Sequence, residues 1–180
     1  MSKQQFHELT IGTCRRQVRI VEVQPAVRIA FVDMVGDMEL IDAALRALIA
    51  KVPDDFEVIL GGDTVGMLIA HHLGLVSGRP YVVARKKRTP AMAAFITAEA
   101  QSVAATEPAT FWLGSHHADA LAGRHVLVVD EVTSTGSTLR ALRSLAEQAG
   151  AERITQAVIA TEGEPRDDVV SVAHLPVWKE

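Results

Sequence analysis

The stretch HVLVVDEVTSTGSTLRAL, residues 125–142, constrains the fold more than any other part of the chain. Its first half is an apolar, Val-rich run without polar alternation, the pattern of a strand buried on both faces of a parallel sheet. Its second half opens an amphipathic helix with Leu139, Leu142, Leu145, Ala146 and Ala149 on one side and Gly150 at its end. A buried strand that passes through a short loop into a helix is half of a βαβ unit. Such units cross over right-handedly and cover both faces of their sheet with helices.

The pattern recurs along the chain. FEVILGG, residues 56–62, is a short apolar run that feeds the helical DTVGMLIAHHLG, which Gly74 is placed to terminate. RPYVVARKKR supplies another buried strand ending in a basic cluster, and TFWLG and RITQAVIAT supply two more. In DMELIDAALRALIAK, Leu40, Ile41, Ala44, Leu45, Leu48 and Ile49 form one helical stripe, with Asp37 at the capping position and Lys51 then Pro53 closing it. Residues 17–23 alternate apolar and polar, and residues 27–32 follow Pro25, which predicts an antiparallel pair and a hairpin-like N-terminal lobe. Residues 89–108 are rich in Ala, Thr, Ser and Glu without strong periodicity and read as mobile or partly helical. With 180 residues and no internal repeat or linker, the expectation is one α/β domain over residues 1–180.

Charge and cysteine content narrow the function classes. A formal charge of -4 and a pI near 6.0 argue against a surface matched as a whole to nucleic acid or to an anionic membrane. The single cysteine, Cys14, cannot form an internal disulfide, and the opening MSKQQFHELTIG lacks the apolar run of a secretory signal. No apolar segment approaches the roughly 18 residues that span a bilayer. A cytoplasmic protein acting on small molecules, without nucleic-acid or membrane partners, is expected.

Chemistry concentrates where the first strand ends. In open α/β sheets ligands sit beyond the carboxyl ends of the strands, the location of Asp130 and Glu131. The loop that follows has Gly136 to admit a close ligand, hydroxyls on Thr133, Ser134, Thr135, Ser137 and Thr138, and a helix N-terminus whose free N–H groups favour an anion. The acids repel a phosphate, so they need another partner. A ribose diol, or Mg²⁺ held through water, would suit them while the loop grips a 5'-phosphate. A simple helix cap by Ser134 or Thr135 accounts for one hydroxyl and leaves the acid pair unexplained. A Walker-type loop would need a lysine where Ser137 and Thr138 stand. The pairs His71-His72 and His116-His117 lack zinc-motif spacing and read as solvated.

VLVVDEVTSTGST closely resembles the phosphoribosyl-pyrophosphate signature of the type I phosphoribosyltransferases, nearest to adenine and purine phosphoribosyltransferase-like proteins. The resemblance implies a single-domain fold with a central parallel β-sheet flanked by helices, a small hood built from N- and C-terminal segments, and a flexible loop at residues 89–108. It implies that Asp130 and Glu131 hold the ribose hydroxyls and, through water, Mg²⁺, while Thr133, Ser134, Thr135, Gly136, Ser137 and Thr138 cradle the 5'-phosphate. Asp63, Thr64, Val65 and Gly66 would form the pyrophosphate loop, with Val65 standing where the family usually carries a basic residue. Arg85 and Lys86 would add positive charge for the leaving pyrophosphate, and Lys87 and Arg88 read as surface. Phe31, in IAFVDMVGD, would stack on the base with Val132 flanking it, although its periodicity suits a core-facing strand residue equally. In adenine-specific members the flexible loop carries a glutamate; Glu99 and Glu107 are the acids available here. The implied activity is Mg-dependent transfer of ribose 5-phosphate from phosphoribosyl pyrophosphate to a nucleobase, most simply a purine of adenine type, by a homodimer serving nucleotide salvage. A non-catalytic sensor of phosphoribosyl pyrophosphate on the same fold is the alternative.

Overall fold

The computed structural model describes residues 5–101, 108–164 and 166–179. The chain opens with three strands, β1 (Phe6–Ile11), β2 (Cys14–Gln24) and β3 (Val27–Phe31), and turns into helix α1 (Met38–Ile49). Strand β4 (Val58–Gly62), helix α2 (Val65–Ser77) and strand β5 (Tyr81–Ala84) follow, then β6 (Phe95–Ala100), β7 (Ala109–Gly114) and the short helix α3 (Ser115–Asp119). The last part runs β8 (His125–Thr133), α4 (Ser137–Gln148), β9 (Arg153–Glu162), β10 (Val170–Leu175) and β11 (Val177–Lys179).

Five strands in the order β10-β9-β8-β4-β5 form the central sheet, and every neighbouring pair in it is parallel. Because side chains alternate along a strand, β8 feeds two cores. Leu127 and Val129 face Leu45, Leu48, Ile69 and Leu73 of α1 and α2, whereas Val126 and Val128 face Leu139, Leu142 and Leu145 of α4. This two-sided burial explains why the strand sequences are continuously apolar. Each fully buried leucine contributes about 2 kcal/mol of transfer free energy.

A second sheet, β1-β2-β3-β11, stands beside the first. The N-terminal pair expected from the sequence is β2 with β3, but the sheet also recruits β1 and, antiparallel to β3, the C-terminal β11 through Val177↔Ile29. Asp37 ties this hood to α1. Its Oδ1 accepts the Leu40 N–H at 3.0 Å, capping the helix, while its carboxylate takes Arg16 of β2 at 2.7 and 2.9 Å.

Two local expectations are corrected. Helix α2 does not stop at Gly74: a Cβ there would lie 3.0 Å from the Arg79 carbonyl oxygen, so this glycine serves close packing, and the helix ends at Gly78 with φ +70°. The reading of residues 89–108 as mobile or partly helical is corrected for residues 95–100, which form β6, antiparallel to β7, while residues 102–107 lie outside the described residues. Small alanines in FITAEA hide the two-residue period that a strand needs to be recognised. Among the described residues, no helix is long and apolar enough to cross a membrane.

Candidate active site

The connections from β4 and β8 run in opposite directions across the sheet, β4 to its neighbour β5 and β8 to its neighbour β9. This reversal creates a crevice at the carboxyl ends of β4 and β8. Both predicted loops open there.

On the β4 side, the Asp63 N–H donates to the Ala84 carbonyl at 2.9 Å, and the Asp63 carboxylate accepts the Lys86 N–H at 3.1 Å. Arg85 Nε lies 3.1 Å from the same carboxylate. The structure therefore brings Asp63, Arg85 and Lys86 together from two loops. Thr64 precedes α2 without capping it, which leaves the first-turn N–H groups around Val65 and Gly66 without a side-chain cap. Gly66 sits against β8: a Cβ on it would lie 3.3 Å from both Asp130 Oδ1 and the Val129 carbonyl oxygen.

On the β8 side, burial pushes the Asp130 carboxyl up to about 6, against the opposing hydrogen bond from the Glu131 N–H at 2.9 Å and the charge of Lys86. Burial also pushes Glu131 up, to about 7, with Asp130 and Asp33 adding like-charge repulsion and Lys86 opposing it. These are crowded carboxyls with acceptor capacity to spare, and both hydroxyl donors and a cation relieve them. The Mg²⁺ implied by the resemblance fits this donor chemistry, because adjacent carboxylates offer hard oxygen ligands and their mutual repulsion favours a divalent ion. Among the described residues, no cluster of three or more His, Cys, Asp or Glu side chains could enclose a metal alone. A hard cation here would share its ligands with water and phosphate.

Beyond the acids, Thr133 is buried at the end of β8 and pairs with Thr161, whereas Ser134 and Thr135 are exposed. Ser134 lowers the Glu162 carboxyl against the burial that raises it, and the Thr135 carbonyl accepts Arg140 Nη1 at 2.7 Å. Gly136 precedes α4 at φ +76°, and no side chain caps the helix. The capping explanation of this loop is thereby removed. Ser137 and Thr138 lie half-buried in the first turn.

Phe31 ends β3 and is 54% exposed, so it does not face the core. It borders a cavity of about 440 Å³ that also touches Arg19, Asp33 and Asp37. Asp33, one of its lining residues, adds to the repulsion that raises Glu131. Val132 is half-buried and packs on the core that α1 and α2 share.

Other features stand apart. His71 meets the Tyr81 hydroxyl at 3.1 Å, His72 lies 3.9 Å from Asp42, and the tilted rings of His116 and His117 have centroids 3.9 Å apart. Cys14 is buried. Lys87 and Arg88 are exposed, as is Glu99 on β6, and Glu107 lies outside the described residues. Three residues near the loops escaped the sequence reading: Asp33, Glu162 and Arg166. Glu162, at the carboxyl end of β9, could have been found by the rule that located Asp130; the other two lie on connections that carry no such signal.

Comparison with known proteins agrees with this geometry. The sequence model of the phosphoribosyl transferase domain matches residues 32–174. An adenine phosphoribosyltransferase from Cutibacterium acnes (strain DSM 16379 / KPA171202) is 33% identical over 118 residues, 65% of this chain and 63% of that protein's length. The crystal structure of adenine phosphoribosyltransferase from Thermoanaerobacter pseudethanolicus ATCC 33223 matches with a TM-score of 0.66 and 21% identity, covering 87% of this chain and 95% of that one. That of Giardia lamblia APRTase complexed with 9-deazaadenine also matches with a TM-score of 0.66 and 21% identity, covering 87% and 93%. With a family match that runs from just after β3 into β10, around a crevice of the shape just described, the chain belongs to the phosphoribosyl transferase domain family.

Proposed function

We propose that the protein transfers ribose 5-phosphate from phosphoribosyl pyrophosphate to a ring nitrogen of a purine base, adenine by analogy with its relatives, in nucleotide salvage. The observation that carries this reading is the convergence of two uncapped helix N-termini, the Asp63–Arg85–Lys86 group and the Asp130–Glu131 pair on one crevice. In it, residues 133–138 hold the 5'-phosphate, Asp130 and Glu131 accept hydrogen bonds from the ribose diol, and residues 63–66 with Arg85 and Lys86 receive the pyrophosphate. Phe31 and Val132 bracket the base. Val65 offers no charge, so the backbone N–H groups of α2 and the two basic side chains carry that load.

The C1'–O bond breaks with its electron pair going to pyrophosphate, the base nitrogen bonds to C1', and the base releases its proton. Positive charge develops at C1' beside Asp130 and Glu131, negative charge at the leaving oxygen beside Lys86. Mg²⁺, when bound, neutralises the pyrophosphate and fixes its orientation. Water has to be kept from the crevice while this charge develops. The acting species is a cytoplasmic homodimer, with the hood formed from the N- and C-terminal segments of the domain. Nucleic acid and membranes take no part.

The test is a mass-spectrometric assay with phosphoribosyl pyrophosphate, Mg²⁺ and a pool of adenine, guanine, hypoxanthine, xanthine, uracil and orotate. AMP is expected, and Asp130→Asn with Glu131→Gln should abolish it while the fold survives. Full activity in that double variant would remove the site assignment. Binding of phosphoribosyl pyrophosphate without a product from any base would favour the sensor, the reading that Val65 motivates.

A further inference from the structure

The β9–β10 connection brings an arginine onto the hydroxyl loop. A Cβ built on Gly136 would overlap Arg166 Nη1 and come within 2.7 Å of its Cζ and 2.9 Å of Nη2. The absence of a side chain at position 136 therefore makes room for a guanidinium as well as for the left-handed backbone. Arg166 is held in place by a fork with Asp168, Nε to Oδ1 at 3.1 Å and Nη2 to Oδ2 at 2.7 Å. Nη1, the nitrogen closest to the loop, has no hydrogen-bond partner among the described residues. The side chain is only 17% exposed, while Asp168 is 59% exposed.

The loop needs such a cation. A phosphate dianion seated on residues 133–138 has Asp130, Glu131 and Glu162 for neighbours, all carboxyls that burial already disfavours in their charged form. Backbone N–H groups and hydroxyls supply donors but no full positive charge. A guanidinium with one edge fixed and the other edge facing the loop supplies both, at little further cost in side-chain order.

Resting on the phosphoribosyl reading above, we propose that Arg166 is a 5'-phosphate-binding residue, with Nη1 as the donor and Asp168 as the residue that positions it. The anion it recognises is a phosphate monoester on a ribose, not the pyrophosphate, whose site lies across the crevice at residues 63–66 and 85–86.

Calorimetric titrations of ribose 5-phosphate, and separately of pyrophosphate with Mg²⁺, into the wild type and the Arg166→Ala and Arg166→Lys variants test this. Arg166→Ala should weaken ribose 5-phosphate on the order of tenfold or more, the range of a charge-assisted hydrogen bond, and leave pyrophosphate within about twofold. Arg166→Lys keeps the charge without the fork and should fall between. It also carries the test if the alanine variant unfolds, which thermal melting reports. Unchanged ribose 5-phosphate affinity in the variants overturns the assignment, and so does an equal loss of both ligands, the mark of a merely structural role. If the wild type binds neither ribose 5-phosphate nor phosphoribosyl pyrophosphate, the phosphoribosyl reading itself falls and this one with it.

Discussion

Gly61 of β4 lies against the carbonyl of Gly66 in the first turn of α2, so close that a Cβ on Gly61 would overlap that oxygen and come within 2.9 Å of Ala70 Cβ. The obstacle is backbone, which a rotamer change cannot move aside. Gly61→Ala should therefore push α2 away from β4, costing about 2 kcal/mol as overpacking in a dense interior. The same shift displaces residues 63–66, proposed to receive the pyrophosphate, so urea unfolding and pyrophosphate titration should deteriorate together. A variant of wild-type stability would mean that α2 can slide without loss.

Much of this arrangement is legible in the sequence. The buried runs at β4, β5, β8 and β9 announced a parallel sheet because continuous apolarity has few other uses in an α/β chain. Asp130, Glu131 and the hydroxyl loop were legible because one contiguous stretch contains them. What stayed hidden depends on long-range pairing: β11 joins β3, and Arg166 reaches Gly136, through contacts that leave no local period. Phe31 stayed open for a related reason. Alternation fixes which residues share a face of a strand, but which face meets solvent depends on how the hood sits on α1.

The raised carboxyls predict a pH dependence of the metal-free protein. Asp130 at about 6 and Glu131 at about 7 bind protons more tightly in the folded state than in the unfolded chain, where ordinary values near 4 apply. Their contribution is fully present below about pH 4 and is lost as pH rises through 6 to 7. With a chelator present, urea midpoints should fall between about pH 5 and 7, and Asp130→Asn with Glu131→Gln should flatten that slope. A wild-type slope that persists in the double variant would assign it to other groups.

Asp37 predicts the opposite sign. Its hydrogen bond to Arg16 and its cap on the Leu40 N–H lower its carboxyl to about 2. That contribution is present above the unfolded value near 4 and is lost as pH falls through about 2. Asp37→Ala removes a helix cap and a link between β2 and α1, so a loss of about 1 kcal/mol is expected at pH 7. Asp37→Asn keeps an acceptor for the cap and should recover part of it. Equal losses in the two variants would mean that the Arg16 pair, not the cap, holds the hood.

Lys86 is the charge that opposes burial at both Asp130 and Glu131, and its own N–H is fixed by Asp63. Replacing its side chain with methionine removes one cation from the side of the crevice proposed for pyrophosphate and lets both carboxyls rise further. Two effects should appear together. The KM for phosphoribosyl pyrophosphate should rise on the order of tenfold, the worth of a charge-assisted contact. The acid limb of the kcat/KM profile should also move to higher pH, because Asp130 and Glu131, proposed to hold the ribose, need a higher pH to ionise. A higher KM with an unmoved acid limb would show that Lys86 serves the pyrophosphate alone and that the carboxyls take their shifts from burial.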